Sequence, residues 1–307
     1  MMLWRNIMCI QKITNLLAFL ILSFAGSALA QQEPLVKDVQ ITSNISYALV
    51  DGFDLKLDLY LPRSTSNPEL MIFIHGGAWR GGSKDGWPIN RLANSFAEDG
   101  MAIASVEFRM SHEGMFPAQI HDIKAAIRFL RGNANSFGYN ADKIGILGAS
   151  SGGHLVAMMG VSNGHPLLEG SVGDYDNVSS DVHAVVSYYG ASNLHSILRQ
   201  STPHGLSVRK PALDLLIGGQ PADMAELATL ASPVALVSPD SAPLLMMHGD
   251  QDPQMPINQS HELHSAYKDH QIPVQFEVVH GAAHHDAVFY NDESNAVMKS
   301  FLLRYVR

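Results

Sequence analysis

The chain has 307 residues, with 29 acidic side chains against 20 basic ones and a formal charge of −9. This excess of negative charge argues against nucleic acid or an anionic membrane as a partner, and the length is ample for one large domain. Its single cysteine, Cys9, falls in a leader expected to be removed, which leaves no cysteine for a disulfide, a thiolate metal site or a nucleophile.

That leader is residues 1–30. Arg5 and Lys12 precede the apolar stretch Ile13 to Ala25, and Ala28-Leu29-Ala30 supplies a small-residue cleavage pattern before Gln31. The stretch is broken by Ser23 and Gly26 and falls short of the ~20 apolar residues of a spanning helix. The expectation is a signal peptide, an exported protein (periplasmic or secreted) and no stable membrane anchor.

After a short flexible lead over 31–38, the pattern turns to strands at Val39 to Tyr47 and Leu55 to Leu61. The second alternates strictly and stops at Pro62, so the two read as an antiparallel pair at a sheet edge. Continuous apolar runs follow at Leu70 to Ile74, Met101 to Val106, Ile144 to Leu147, Val182 to Tyr189, Leu244 to Met247 and Val274 to Val279. Such runs suit strands buried on both faces. Helical patterns separate them, clearest at Pro117 to Asn133, where Ile120, Ile123, Ile127 and Leu130 form one stripe, then at Pro256 to Asp269 and Glu293 to Tyr305. The class is therefore α/β: eight strands, mostly parallel, with helices on both faces. Residues 191–241 interrupt the alternation, with short helical pieces around Pro211 to Ile217 and Ala222 to Ala231, and read as a small lid or substrate wall.

Three motifs carry chemistry, each directly after an apolar run. Gly148-Ala149-Ser150-Ser151-Gly152 follows Ile144 to Leu147 and opens a helix-like segment, the pattern of a nucleophile elbow that lifts a serine hydroxyl above a sheet. His75-Gly76-Gly77-Ala78-Trp79 follows Leu70 to Ile74. Its small residues let the backbone N–H groups of Gly77 and Ala78 face a substrate oxygen, joined by that of Ser151 as an oxyanion hole. His75 reads as an organiser of this loop and Trp79 as a packing residue.

A serine hydroxyl needs a base, and the base needs an acid to orient it. After Leu244 to Met247, Asp250 and Asp252 compete for the acid; Asp250 suits a loop cap, and Asp252, further out, is the candidate. After Val274 to Val279 come His280, His284 and His285. His280 ends the strand, His285 is expected to point away from its neighbour, and His284 is the candidate base. The histidine cluster, and the pair His261 and His264 on one helix face, also resemble metal ligands, yet no acidic set with ligand spacing accompanies them, so neither metal nor other cofactor is expected.

In these motifs the chain resembles the α/β-hydrolase superfamily. Within it, the likeness is to esterases with a His-Gly-Gly-x-Trp oxyanion motif, the bifunctional feruloyl and acetyl-xylan esterase group beside the hormone-sensitive-lipase type. The likeness covers Phe116-Pro117-Ala118-Gln119 with Asp122, the elbow with Gly153-His154-Leu155, Leu215 to Pro233, His248 to Pro256 and Gly281 to His284. It implies a single domain over 31–307, a small ester or esterified carbohydrate as substrate, and Ser150, Asp252 and His284 as nucleophile, acid and base. Three residues depart from the pattern: Ala78 replaces a third glycine, Phe108 stands where tyrosine often precedes Arg109, and His285 stands where glycine is usual. Formamidases of kynurenine metabolism share the oxyanion signature, so amide hydrolysis is the alternative activity, and a non-catalytic binding protein of the same fold is the alternative class.

Overall fold

The computed structural model describes residues 34–35 and 38–307; the expected leader, residues 1–30, lies outside the described residues. β1 (Val39–Val50) and β2 (Phe53–Pro62) form the expected antiparallel hairpin, turned at Asp51 and Gly52, both with positive φ. β3 (Glu69–Ile74) leads through α1 (Ile89–Glu98) to β4 (Ala102–Val106), and α2 (Ala118–Gly132) and the single turn α3 (Ala134–Phe137) lead to β5 (Asn140–Ala149). α4 (Ser151–Val161) and α5 (Pro166–Glu169) precede β6 (Ala184–Tyr188). Four helices then occupy the irregular zone: α6 (Leu194–Gln200), α7 (Pro203–Ile217), α8 (Ala225–Leu230) and α9 (Pro233–Leu236). β7 (Leu244–Gly249), α10 (Asn258–Asp269), β8 (Val274–Val279), a 3₁₀ turn (Ala287–Tyr290) and α11 (Asp292–Val306) complete the chain.

The strands make one eight-stranded sheet in the order β1-β2-β4-β3-β5-β6-β7-β8, antiparallel at the β1/β2 and β2/β4 pairs and parallel from β4 to β8. Alternate residues of β3 serve opposite layers, as the two-residue period of a strand requires. Ile72 and Ile74 join the side covered by α2, α4 and α10, where Ile120, Ile127, Val156 and Leu263 are buried. Met71 and Phe73 join the side covered by α1 and α11, where Leu92, Phe96, Phe301 and Leu302 are buried. Each such side chain contributes roughly 1.5–3 kcal/mol by leaving water.

Register decides where the loops meet. Ile74 lies opposite Gly148, Ala149 opposite Tyr188, Tyr188 opposite Met247, and Gly249 opposite Val279. The carboxyl ends of β3, β5, β6, β7 and β8 therefore come out level, and every loop singled out in the sequence leaves from that one edge. Among the described residues no helix is long and apolar enough to cross a membrane.

Candidate active site

Ser150 occupies the turn between β5 and α4 at φ 57 and ψ −118, a strained backbone for a residue with a Cβ. Its N–H donates to Tyr188 O at 2.9 Å, which ties the turn to the neighbouring strand. The turn closes only because position 152 lacks a side chain: a Cβ on Gly152 would stand 2.2 Å from Ile74 O and 2.5 Å from His75 O. The loop after β3 is equally tight against the elbow, since a Cβ on Gly76 would stand 2.8 Å from Ala149 O. That approach sets Gly76, which leads into Gly77 and Ala78, against the elbow, where such a Cβ would also stand 3.3 Å from Ser150 Cβ.

His284 and Asp252 reach the serine from the loops after β8 and β7. His284 Nδ1 donates to Asp252 Oδ2 at 2.6 Å, and because a carboxylate only accepts, Nδ1 carries the proton. His284 Nε2 is then free to accept from the Ser150 hydroxyl, 2.9 Å away. The His284 and Asp252 side chains are 4% and 1% exposed, so their mutual attraction is little screened by water. Burial lowers the His284 pKa, and the hydrogen bond to Asp252 only partly offsets this, so the imidazole is neutral near pH 7. Burial alone would raise the Asp252 pKa; the hydrogen bonds from His248, His284 and the Met255 N–H overcome it and hold the carboxyl well below the usual carboxylate range.

The expected oxyanion donors, the N–H groups of Gly77, Ala78 and Ser151, lie in the loop after β3 and at the start of α4. Gly77, Ala78 and Trp79 all have positive φ, at 130, 55 and 59, so the loop coils rather than extends. Among the described residues, no protein acceptor takes the N–H of Gly77, Ala78 or Ser151. His75 holds the loop as expected: its Nδ1 lies 2.8 Å from Gly76 O, and its ring stacks on Phe108 at 4.7 Å.

The competing residues have other partners. Asp250 accepts from the Gly281 N–H at 2.8 Å and pairs with exposed His280 at 2.8 Å, cross-linking the loops after β7 and β8. His261 and His264 pack their rings on Phe276. His285 departs from expectation. Instead of pointing away, its ring stands edge-on to His284 with centroids 4.3 Å apart, because a backbone φ of 63 turns the side chain back toward the site.

Several residues take parts in the site that their sequence context did not reveal. His248, fully buried, places Nε2 3.1 Å from Met255 O and 3.4 Å from Asp252 Oδ2, and Ser260 bonds its Nδ1 at 2.8 Å. Tyr189 packs its ring on His284 at 4.7 Å and shares a hydroxyl contact of 3.2 Å with Tyr290. Trp79 does more than pack: its Nε1–H donates to His154 Nδ1 at 3.0 Å, and His154 Nε2–H donates to Ala231 O at 2.8 Å. This relay links the oxyanion loop, α4 and the helical insertion, and burial lowers the His154 pKa to about 4, which keeps the ring neutral. Arg209 of α7, 1% exposed, donates to Gln254 O at 2.9 Å and so fastens the insertion to the Asp252 loop. His248, Trp79 and His154 stand in or beside the motifs read from the sequence, but their pairings, like those of Tyr189 and Arg209, join residues far apart in the chain.

A serine hydroxyl on a neutral, carboxylate-oriented imidazole, with unpaired N–H groups alongside, is equipped for acyl transfer. The BD-FAE family profile matches residues 57–267, more than half of the sequence. The chain belongs to the BD-FAE family. The fold of this family member is the α/β-hydrolase fold, and it is shared with a solved structure described as a truncated form of a carbohydrate esterase from gut microbiota. The two are 30% identical with a TM-score of 0.80, over 89% of this chain and 99% of that one. A bifunctional GH43-CE from Bacteroides eggerthii is 32% identical with a TM-score of 0.78, over 89% of this chain and 36% of that one. Esterase LipQ of Mycobacterium tuberculosis is 28% identical over 208 residues, 65% of this BD-FAE chain and 46% of the relative. The chain thus spans less than half the length of that curated relative.

Proposed function

We infer that the protein is a serine carboxylic-ester hydrolase acting on short-acyl, chiefly acetyl, or feruloyl esters of carbohydrates. The observation that carries the reading is the continuous relay from Ser150 Oγ through His284 to Asp252, at 2.9 Å and 2.6 Å. His284 Nε2 takes the serine proton as Oγ bonds to the ester carbonyl carbon, and the carbonyl oxygen becomes an oxyanion facing Gly77, Ala78 and Ser151. The oxyanion collapses, the carbon–alkoxy bond breaks, and Nε2 returns the proton to the departing alcohol. Water then adds to the acyl-serine with Nε2 as base, the carbon–Oγ bond breaks, and the acid leaves. Asp252 keeps Nδ1 protonated throughout and stabilises the imidazolium. The carbohydrate part of the reading is supported by the structural relative described as a carbohydrate esterase, to which this chain aligns over nearly its whole length.

The test is a panel of p-nitrophenyl esters, acetylated xylan, methyl ferulate and an aryl formamide. Acetate or ferulate release from ester and polymer is the expected result; turnover of the formamide alone would replace the reading by amide hydrolysis. The reading of residues 1–30 as an export signal is part of the same proposal, and it requires the mature protein to begin at Gln31 and to be recovered outside the cytoplasm. A cytoplasmic protein with its leader intact would contradict it.

A further inference from the structure

Beside the oxyanion loop lies a cavity of about 210 Å³, lined by Phe73, Gly77, Ala149, Trp87, His285 and Tyr290 among others. Its inner end is closed, since Phe73, Ala149 and Tyr290 are 1%, 4% and 0% exposed. Its outer rim is nearly bare: of its lining residues only Gly77, Gly82 and His285 are exposed, and only His285 carries a side chain. The His285 backbone is in the left-handed region at φ 63, where glycine sits freely and a residue with a Cβ is strained. The ring is held at the rim by edge-on contacts to His284 at 4.3 Å and Tyr189 at 5.5 Å.

We propose that His285 determines acyl-length specificity by narrowing the mouth of this cavity, which receives the acyl arm of the substrate. The proposal rests on the ester-hydrolase reading above. An ester has two arms. The alcohol of a carbohydrate ester continues into a sugar and must leave past His284 Nε2 toward open solvent, whereas the acyl arm is terminal and suits a dead-ended space beside the oxyanion donors. An imidazole at the rim admits a short arm and obstructs a longer one. The same position filled by glycine would leave the entrance open without changing the backbone path.

The experiment compares the wild type, His285→Gly and His285→Asn on p-nitrophenyl acetate, butyrate, hexanoate and octanoate, and on acetate esters of several alcohols. Both replacements tolerate left-handed backbone, so neither should lower the thermal midpoint. The wild type should fall off steeply beyond the short acyl groups. The hexanoate-to-acetate ratio of kcat/KM should rise about tenfold or more in His285→Gly and to an intermediate extent in His285→Asn. Parallel acyl-length profiles in the three proteins would overturn the proposal, as would a change confined to the alcohol series. Absence of all ester turnover in the wild type is a different result: it removes the hydrolase reading itself, and this proposal with it.

Discussion

Two opposed influences act on the Asp252–His284 pair. Burial disfavours charge on both, yet Asp252 gathers enough donors to remain ionised: the N–H groups of Gln254 and Met255 at 2.8 Å each, and His284 Nδ1 at 2.6 Å. His284 receives no comparable set of acceptors, so its pKa is lowered from 6.5 and the neutral base predominates at neutral pH. The sign follows directly. Protonation of His284 removes the base, so kcat/KM should climb with pH along one limb whose midpoint is below 6.5 and then level off. A pH–rate profile of ester hydrolysis by the purified protein checks this, and a midpoint above 6.5 would contradict it. Replacement of Asp252 by Asn keeps the shape but lets Nδ1 accept and Nε2 carry the proton, the wrong tautomer for taking one from Ser150. The expected loss in kcat is roughly 10⁴-fold with little change in KM, read by steady-state kinetics.

At the level of elements, the site depends on how closely backbone can approach backbone. Gly152→Ala would force a Cβ to 2.2 Å from Ile74 O, so β3 and α4 must separate. A loss of about 1–3 kcal/mol is expected from overpacking, with a fall in activity as the Gly77 and Ala78 donors move off Ser150. Urea denaturation and ester kinetics on the same variant measure both, and an unchanged midpoint would show that the elbow has slack. A second element-level constraint lies behind the site, between the end of β4 and α2. Arg109, 7% exposed, donates from Nε and Nη2 to Asp122, which is 0% exposed, and its own N–H reaches Asp122 Oδ2 at 2.9 Å. Asp122→Ala would leave that guanidinium buried without its main counter-ion, at an expected cost of about 3–5 kcal/mol by the same denaturation assay. A loss below about 1 kcal/mol would mean that Asp51, 2.7 Å from Nη1, suffices alone.

Across the whole molecule, legibility divides between what is local and what is not. The parallel strands were readable because buried strands are continuous apolar runs, and each site motif directly follows one, so Ser150, Gly77, Asp252 and His284 could be placed at one sheet edge from spacing alone. α1 gave no start signal: it begins after Pro88 with no capping side chain, and its stripe of Ile89, Leu92, Ala93 and Phe96 is short and interrupted by polar residues. The helix α7 begins eight residues before the expected piece at Pro211, at Pro203, because Thr202 caps it by accepting from the Gly205 N–H at 3.0 Å and the helix continues through Pro211. The contributions of Tyr189, His154 and Arg209 were not legible for another reason. Each acts through a partner 45 to 95 positions away, and no local pattern encodes that distance. Those long-range links make the helical insertion part of the site's frame: Arg209 bonds Gln254 O, and His154 bonds Ala231 O.

The most direct measurement is covalent labelling with a fluorophosphonate, followed by peptide mass spectrometry. The expected result is one label per chain, on Ser150, lost in Ser150→Ala and strongly slowed in His284→Ala. A protein that takes no label, or takes it equally well on another residue when Ser150 is replaced, would contradict the assignment of Ser150 as the activated nucleophile.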